Sequence, residues 1–316
     1  MVDGSNPSRR SFRRIAGVIA VAGTMLVATA AGAAVGVLTK RRAQELTPGG
    51  DRVGGKLFIG WTQAPRSHPN RPKVLVKRGS RKPVRLNRKS TNGIMGGMDG
   101  QTAVYQEIDN SDADIFRYNL KTRDRDRVPI SSSRWEHSPT ISGKFILFGR
   151  NSRFDTVVLL NRKTGNTRTL ASVKMRGDTN SPPVYPGQVN GDFVAFTRCT
   201  RNLSKCDVIR YQISTRQFIK IPRQRPFHYA ASVSNNGTVY FAGSGKACGQ
   251  NTAIYRRRNG NTTRISKLGG KNEVYNNTHV IPRAGGGTDI FYSRARCKND
   301  RAFPRHANFD VVRVKG

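Results

Sequence analysis

The sequence predicts an all-β protein built as a β-propeller. Three observations favour this fold: short apolar segments recur along most of the 316 residues, polar turns separate them, and no stretch after residue 45 keeps a helical period. The 32 glycines and 15 prolines also suit a chain with many turns. Because β-branched and aromatic residues alternate with polar ones in these segments, we expect strands rather than helices.

The repeat unit is about 45 residues long and holds four short strands, which is typical of a propeller blade. One strand of each unit ends near an aromatic residue, and successive aromatic residues are 43, 48, 45 and 51 positions apart. These residues are Tyr105, Phe148, Phe196, Phe241 and Tyr292. A weaker copy lies at 56–59. We therefore expect four-stranded antiparallel blades, with six blades favoured and five or seven as alternatives.

The two ends of the repeat array are incomplete. The first repeat lacks an obvious innermost strand, and the last repeat lacks an obvious outermost strand. Since a propeller closes into a ring, we expect closure to pair strands from the two ends of the chain. We assign 55–316 to the propeller domain, 41–54 to a linker and 1–40 to a separate N-terminal segment.

This N-terminal segment is typical of an export signal. The stretch 8–14 matches the twin-arginine pattern, in which Arg9, Arg10 and Phe12 are the targeting residues. A mildly apolar run at 15–38 follows, with small residues suited to cleavage. A retained membrane anchor is the alternative, since a run of this length spans a bilayer. Both interpretations predict an extracytoplasmic propeller, either secreted or anchored and facing outward.

Several repeats share sequence features with a known family. The stretches 114–122 and 207–215 both read Asp, two apolar residues, Arg, Tyr, a polar residue, an apolar residue, a polar residue and Thr, and 135–143 contains Ser-Pro before a turn glycine. On these residues the chain resembles the TolB-like or WD40-like propeller family over roughly 55–314. The resemblance implies the fold. It implies no particular activity, because propellers serve as enzymes, scaffolds and lectins.

Four cysteines form an even set, which permits disulfides in an exported chain. Cys199 follows one strand and Cys206 precedes its partner, so the hairpin between them predicts a Cys199–Cys206 bridge. Cys248 and Cys297 lie in the equivalent loops of the next two repeats, and a bridge between them depends on the geometry of those blades. Without a CxxC pair or clustered histidines, we expect neither a metal nor a cofactor.

Motifs for catalysis are not found in the sequence. It contains no GxSxG, HExxH or GxxxxGK[ST] pattern. Propeller glycosidases need paired carboxylates facing the channel, and none of the 19 acidic residues can be assigned to such a pair. We therefore expect a non-catalytic protein. A propeller hydrolase or lyase acting on polysaccharide is the alternative.

One set of polar residues is a candidate binding site. They lie near the starts of the innermost strands, 43 to 49 positions apart, where the strands of a propeller line its central channel. They are Asn92, His137, Asn180, Tyr229 and Asn277. Such side chains suit the orientation of a polar ligand or peptide at one channel mouth. The alternative is that they tie neighbouring blades together.

The charge balance indicates what the protein binds. The chain has 56 lysines and arginines against 19 acidic residues, a formal net charge of +37. Such a surface attracts polyanions, and outside the cytoplasm these are anionic envelope polymers. We expect a binding or scaffold protein whose partner is a protein, a peptide or such a polymer. Nucleic acid is a less favoured partner, because no RNA-recognition signature is present.

Overall fold

The computed structural model describes residues 27–28, 43–65, 68, 70–109, 112–130, 134–174, 183–200, 205–225, 227–245, 251–266, 273–283, 286–296 and 310–315. Within these ranges all regular secondary structure is β-strand, in 24 strands. Neighbouring strands pair antiparallel, apart from one short parallel contact. A helical membrane span is not found in the described ranges. The all-β prediction is confirmed.

The strands form six four-stranded units, which we call blades 1 to 6. One sheet contains eight strands, but it is two units joined by the single pair Cys206 and Phe227. Blades 1 to 3 comprise β2 (Ala43–Val53), β3 (Lys56–Pro65), β4 (Lys73–Arg78) and β5 (Val84–Arg85); β6 (Asn92–Asp99), β7 (Thr102–Asp109), β8 (Asp112–Asn119) and β9 (Arg125–Arg127); and β10 (Trp135–Ser142), β11 (Phe145–Asn151), β12 (Phe154–Asn161) and β13 (Thr167–Lys174).

Blades 4 to 6 complete the set. They comprise β14 (Val184–Asn190), β15 (Phe193–Cys199), β16 (Cys206–Gln212) and β17 (Phe218–Lys220); β18 (Phe227–Val233), β19 (Val239–Ser244), β20 (Ala253–Arg258) and β21 (Asn261–Arg264); and β22 (Glu273–Pro282), β23 (Thr288–Arg296) and β24 (Asp310–Lys315), with β1 (Val27–Ala28) paired to β22. In blades 1 to 5 the first strand is the innermost one, and the three strands after it lie progressively farther out. In blade 6, β23 and β24 lie outward of β22, and β1 lies on its inner edge.

The innermost strands form a closed ring. Each contacts the innermost strand of the next blade, and β22 of blade 6 contacts β2 of blade 1. An apolar cluster fills every one of the six junctions between described blades. The five aromatic residues that mark the sequence repeat are at most 1% exposed. They recur because a single blade cannot bury its own faces and needs its neighbours.

Every innermost strand carries a β-bulge at the same level, where it holds one residue more than the strand it pairs with. The bulges bring adjacent blades very close together. At Gly96 a Cβ atom would lie 2.0 Å from the carbonyl oxygen of Pro139 in the next blade, so only glycine fits. The bulges therefore set the packing around the channel.

The N-terminal boundary of the propeller differs from the prediction. The segment 41–54, which the sequence indicates as a linker, contains β2, and β2 pairs with β3 along most of its length. This strand is the innermost strand that the first repeat was expected to lack. Its Gly49 hides the alternating pattern, and glycine is needed there because a Cβ would lie 2.2 Å from the carbonyl oxygen of Gly96.

Closure agrees in part with the expectation that strands from the two ends of the chain pair with each other. Within the described residues, β24 has no strand on its outer side. The N-terminal strand β1 pairs instead with the opposite, inner edge of the blade, at Val274 and Tyr275 of β22. The seam between blades 6 and 1 is formed by contacts between β22 and β2.

Candidate functional site

The residues predicted to ring one channel mouth do not share one register. His137 and Tyr229 are the last paired residues before their bulges, whereas Asn277 lies within a bulge. Asn92 begins β6, three positions before the equivalent residue, Met95. Asn180 lies outside the described residues. The described members therefore do not all share one register, because the strands extend by different lengths before the bulge, and their role in binding stays a prediction.

His137 faces the inside of its blade and the junction with the next. Its ring is 3% exposed and rests on Gly149, where a Cβ would lie 2.2 Å from it. The Nε2 atom is 3.0 Å from Oδ1 of Asn151 and 3.5 Å from Oδ1 of Asp155. Asp155 also accepts the backbone N–H of Val184 in blade 4, at 3.0 Å. Burial raises the pKa of Asp155, and His137 opposes that shift. This cluster joins blades 3 and 4.

The other predicted residues are also engaged in packing. Tyr229 belongs to the apolar cluster between blades 5 and 6, and burial raises its pKa. The Nδ2 atom of Asn277 donates to Oγ1 of Thr47 at 3.4 Å, across the seam between blades 6 and 1. Asn92 is half-buried at the start of β6. Asn277 thus ties blade 6 to blade 1, whereas the hydrogen bonds of His137 stay within blade 3 and Asp155 makes the contact with blade 4.

A residue that the sequence did not single out bridges the channel. Gln188 of β14 donates from Nε2 to the carbonyl oxygen of Val280, and its Oε1 accepts the N–H of Val280, both at 2.9 Å. Val280 lies on β22, and β18 stands between these two strands in the ring. The Gln188 side chain is buried and links blade 4 directly to blade 6. No sequence motif marks Gln188, so this contact could not be predicted from the sequence.

The structure confirms one disulfide. Cys199 and Cys206 face each other on β15 and β16 and are bonded, with an S–S distance of 2.04 Å. Cys248 and Cys297 lie outside the described residues, as do the export residues Arg9, Arg10 and Phe12. Their predicted roles stay predictions.

A polar cleft of about 340 Å³ lies between blades 5 and 6, at the turns that join their innermost and second strands. This volume is at the lower end of the range for ligand pockets. Its lining is Ser234, Asn235, Asn236, Thr238, Tyr240, Arg256, Arg258, Pro282, Arg283, Gly286, Gly287 and Thr288. Among these residues there are three arginines and no carboxylate, so the cleft suits an anion.

One of these arginines has counterparts in the neighbouring blades. Arg210, Arg256 and Arg313 occupy the same position on the third strand of blades 4, 5 and 6. In each of these blades the residue that ends the bulge pairs with a residue of the second strand, and that residue pairs in turn with the arginine. The Nη1 atom of Arg210 donates to the carbonyl oxygen of Gly237 at 3.2 Å. Arg313 donates two hydrogen bonds of 3.0 Å to the carboxylate of Asp289.

The guanidinium of Arg256 differs from its two counterparts. Within the described part of the chain it forms neither an ion pair nor a hydrogen bond, and the same is true of Arg258. Both residues lie on β20, two positions apart, so their side chains project from the same face of the sheet. The intervening Arg257 projects from the other face and donates to Oγ1 of Thr262 at 3.0 Å. The cleft thus holds two cations without a protein partner in that part of the chain.

The third arginine, Arg283, is fixed from the opposite wall. Its Nη2 donates to the carbonyl oxygen of Thr288 at 3.2 Å, and its Nε lies 3.7 Å from Oδ1 of Asp289. The Asp289 carboxylate is fully buried and also pairs with Arg52 and Arg313. Because one carboxylate faces three guanidinium groups, the edge of the cleft keeps a surplus of positive charge.

Carboxylates elsewhere near the inner strands serve the structure. Glu107 pairs with Arg125 at 2.6 Å, and Glu136 pairs with Arg150 at 3.0 Å. Two further carboxylates accept the N–H of a turn glycine in the next blade: Asp51 accepts from Gly100 at 2.6 Å, and Asp99 accepts from Gly143 at 2.8 Å. Burial, with a smaller contribution from Asp99, raises the pKa of Asp51. These contacts explain the carboxylates as links between and within blades.

Comparison with known proteins supports the fold. No protein-family model and no curated protein sequence matches this chain. Among solved structures, TolB from Acinetobacter baumannii superposes with a TM-score of 0.55 at 11% identity, over 82% of this chain and 63% of TolB. The chain thus spans less than two thirds of that protein.

Two other solved structures are more distant. The β-propeller domain of the Trilobed protease from Pyrococcus furiosus has a TM-score of 0.46 at 10% identity, over 87% of this chain and 94% of that domain. A nidogen/laminin complex gives a TM-score of 0.48 at 11% identity, over 72% of this chain and 84% of that one. At these identities the likeness concerns the fold alone. The chain is an antiparallel β-propeller whose fold is similar to that of TolB.

Proposed function

We propose that this protein is a non-catalytic binding module that recognises anionic partners outside the cytoplasm. The observation that carries the proposal is the cleft between blades 5 and 6, where Arg256 and Arg258 have no protein partner within the described residues. A guanidinium that is not neutralised by the protein is available to a carboxylate, phosphate or sulfate of a ligand.

The charge of the whole chain supports the same function. Lysines and arginines exceed acidic residues by 37, and the described buried carboxylates are already engaged by arginines or backbone amides. The remaining cations create a positive field that concentrates polyanions near the surface and speeds their association. This long-range attraction brings the ligand to the protein, and the cleft supplies local contacts.

The cell envelope or the extracellular space is the proposed location. The Cys199–Cys206 disulfide fits an oxidising compartment, as does the export signal predicted around Arg9 and Arg10. In that location the available polyanions are anionic envelope polymers and acidic proteins.

The test is a binding titration with a polyanion at two salt concentrations. Polyphosphate is titrated into the purified protein while tryptophan fluorescence is recorded, at about 50 mM and about 200 mM salt. We expect binding at low salt and an affinity that falls about tenfold or more at the higher concentration, because counterions compete for the arginines. Dextran, a neutral polymer, is the control. Equal binding of dextran, or an affinity independent of salt, contradicts the proposal.

A further inference from the structure

We infer that the cleft between blades 5 and 6 binds a chain of two or more linked phosphate groups, with Arg256 as the principal contact. The inference rests on the proposed function, because it names the ligand chemistry of that binding module. Four features carry it: the size of the cleft, the placement of its arginines, the absence of carboxylates among its lining residues, and the contrast with equivalent positions in the neighbouring blades.

The cleft has room for a ligand larger than a single small ion. A water molecule takes about 30 Å³ of liquid volume. A cleft of about 340 Å³ therefore accommodates several groups of that size, more than one orthophosphate supplies. A ligand that extends along the cleft fills more of this volume than a single ion does.

The arginines lie on two facing walls. Arg256 and Arg258 come from β20 of blade 5, and Arg283 comes from the turn after β22 of blade 6. A guanidinium presents a planar fork of N–H donors that matches two oxygens of one phosphate. Since the donors stand on both walls, a ligand with at least two phosphate groups can satisfy both sides at once.

The two walls differ in rigidity. Arg283 is held by Thr288 and Asp289, whereas Arg256 and Arg258 have no such contacts among the described residues. A fixed guanidinium loses little side-chain entropy on binding. The free guanidiniums lose more entropy, but they gain a full charge-assisted contact because the protein supplies no competing one. Arg256 is half-buried and Arg258 is exposed, so the contact of Arg256 is the less screened by water.

The remaining lining favours phosphate over carboxylate ligands. The lining includes no Asp or Glu that would repel an anion, and it adds neutral polar side chains such as those of Asn235 and Thr238. A phosphate group carries more acceptor oxygens and more charge than a carboxylate of similar size. Three guanidiniums and several neutral donors within one cleft are therefore better satisfied by phosphates.

The neighbouring blades show that this arrangement is specific to one junction. At the equivalent position, Arg210 is bonded to Gly237 at the junction of blades 4 and 5, and Arg313 is bonded to Asp289 at the seam of blades 6 and 1. Blade 5 has Arg256 in the same place with no such partner in the described chain. The geometry points to the ligand as the missing partner.

The test is calorimetric titration of the full-length protein with orthophosphate, pyrophosphate and tripolyphosphate. We expect affinity to increase along this series. Citrate, a tricarboxylate, is expected to bind about tenfold more weakly than tripolyphosphate, since it offers fewer oxygens to each guanidinium. Arg256→Gln should lower tripolyphosphate affinity about tenfold or more, the loss of one charge-assisted contact.

A matched control removes the same charge elsewhere. Lys163→Gln alters an exposed turn of blade 3 and should change tripolyphosphate affinity less than about twofold. Arg258→Gln serves as a second cleft variant if Arg256→Gln fails to fold, which a urea unfolding curve reveals. Cleft variants that bind tripolyphosphate like the wild-type protein, or citrate that binds as tightly, overturn the phosphate site. If the phosphate site is overturned in this way but those variants still bind polyphosphate, the proposed function stands. If the wild-type protein binds neither tripolyphosphate nor polyphosphate, both the phosphate site and the proposed function are overturned.

Discussion

Three blades place an arginine at the same point of the sheet, and the three arginines behave differently. Arg210 in blade 4 is bonded to a backbone carbonyl, Arg313 in blade 6 is neutralised by a buried carboxylate, and Arg256 in blade 5 has no partner among the described residues. The repeat fixes where the side chain emerges, but the groups around it decide what it does. A binding site thus arises where the repeated scaffold lacks a partner for a charge.

The other half of the ring shows the same position without charge. Blades 1, 2 and 3 have Val76, Tyr118 and Leu159 there. Val76 and Leu159 are at most 4% exposed and pack into the junction clusters. The two halves therefore differ at one position, which holds an uncharged side chain in blades 1 to 3 and an arginine in blades 4 to 6.

The largest expected effect comes from removing the partner of Arg313. In Asp289→Asn, three arginines, Arg52, Arg283 and Arg313, lose the carboxylate that they share. Breaking a buried ion pair in this way costs about 3 to 5 kcal/mol of unfolding free energy. Urea unfolding measures the loss. Asp126→Asn breaks the exposed pair with Arg117 and is the control, with an expected loss below about 1 kcal/mol. Equal losses in the two variants contradict the role of Asp289.

The seam also makes stability depend on pH, which distinguishes it from the cleft. Burial lowers the pKa of His279 to about 4, against an opposing hydrogen bond to Gly50. In the unfolded chain His279 binds a proton near pH 6.5, whereas in the folded chain it does not. The contribution of neutral His279 to the free energy of unfolding is therefore complete above pH 6.5. It is lost as pH falls toward 4, by about 3 kcal/mol.

Urea unfolding at pH 7 and pH 4.5 measures this loss. The pKa of His228 is also lowered to about 4 by burial, so the wild-type protein loses the contribution of both histidines. His279→Gln removes one titrating group and should lose about 2 to 3 kcal/mol less than the wild-type protein between these pH values. An identical pH dependence of the two proteins is the contrary result.

Blade 4 contains a covalent link within one of its hairpins. Cys199 and Cys206 are seven positions apart, and the bridge closes a short hairpin. Restricting the unfolded chain over such a loop contributes about 2 to 3 kcal/mol in the chain-entropy model. The double variant Cys199→Ser and Cys206→Ser should lose this amount in thermal or urea unfolding. A reducing agent should destabilise the wild-type protein more than the double variant, and an equal loss in the two proteins contradicts the contribution of the Cys199–Cys206 bridge.

The smallest expected effect on stability is that of Arg256→Gln. Because its guanidinium has no partner in the described chain, the substitution should change the unfolding free energy by less than about 0.5 kcal/mol. Arg210→Gln breaks the bond to Gly237 and should cost about 1 to 2 kcal/mol. A urea series of the two variants checks the order. If Arg256→Gln is the more destabilised, the side chain has a structural role.

The sequence predicts the packing well where one residue type has one reason to recur. Tyr105, Phe148 and Phe196 mark the blades because each fills a junction, and Cys199 and Cys206 pair because one hairpin holds both. The sequence predicts the structure poorly where close approach of the backbone or a β-bulge decides which residue is present. Glycines forced by close approach hide β2, and strands of unequal length before each bulge disperse the predicted ring. The cleft forms between residues of two blades, 5 and 6, and no local pattern in the sequence predicts which side chains meet there.

The salt dependence of polyphosphate binding in the wild-type protein and Arg256→Gln tests the central claim most directly. Each protein cation that contacts a phosphate adds about one unit or slightly less to the slope of log affinity against log salt. We predict that the slope decreases by about one in Arg256→Gln and stays unchanged in Lys163→Gln, with both variants folded. Equal slopes in the wild-type protein and both variants would show that Arg256 does not contact the ligand.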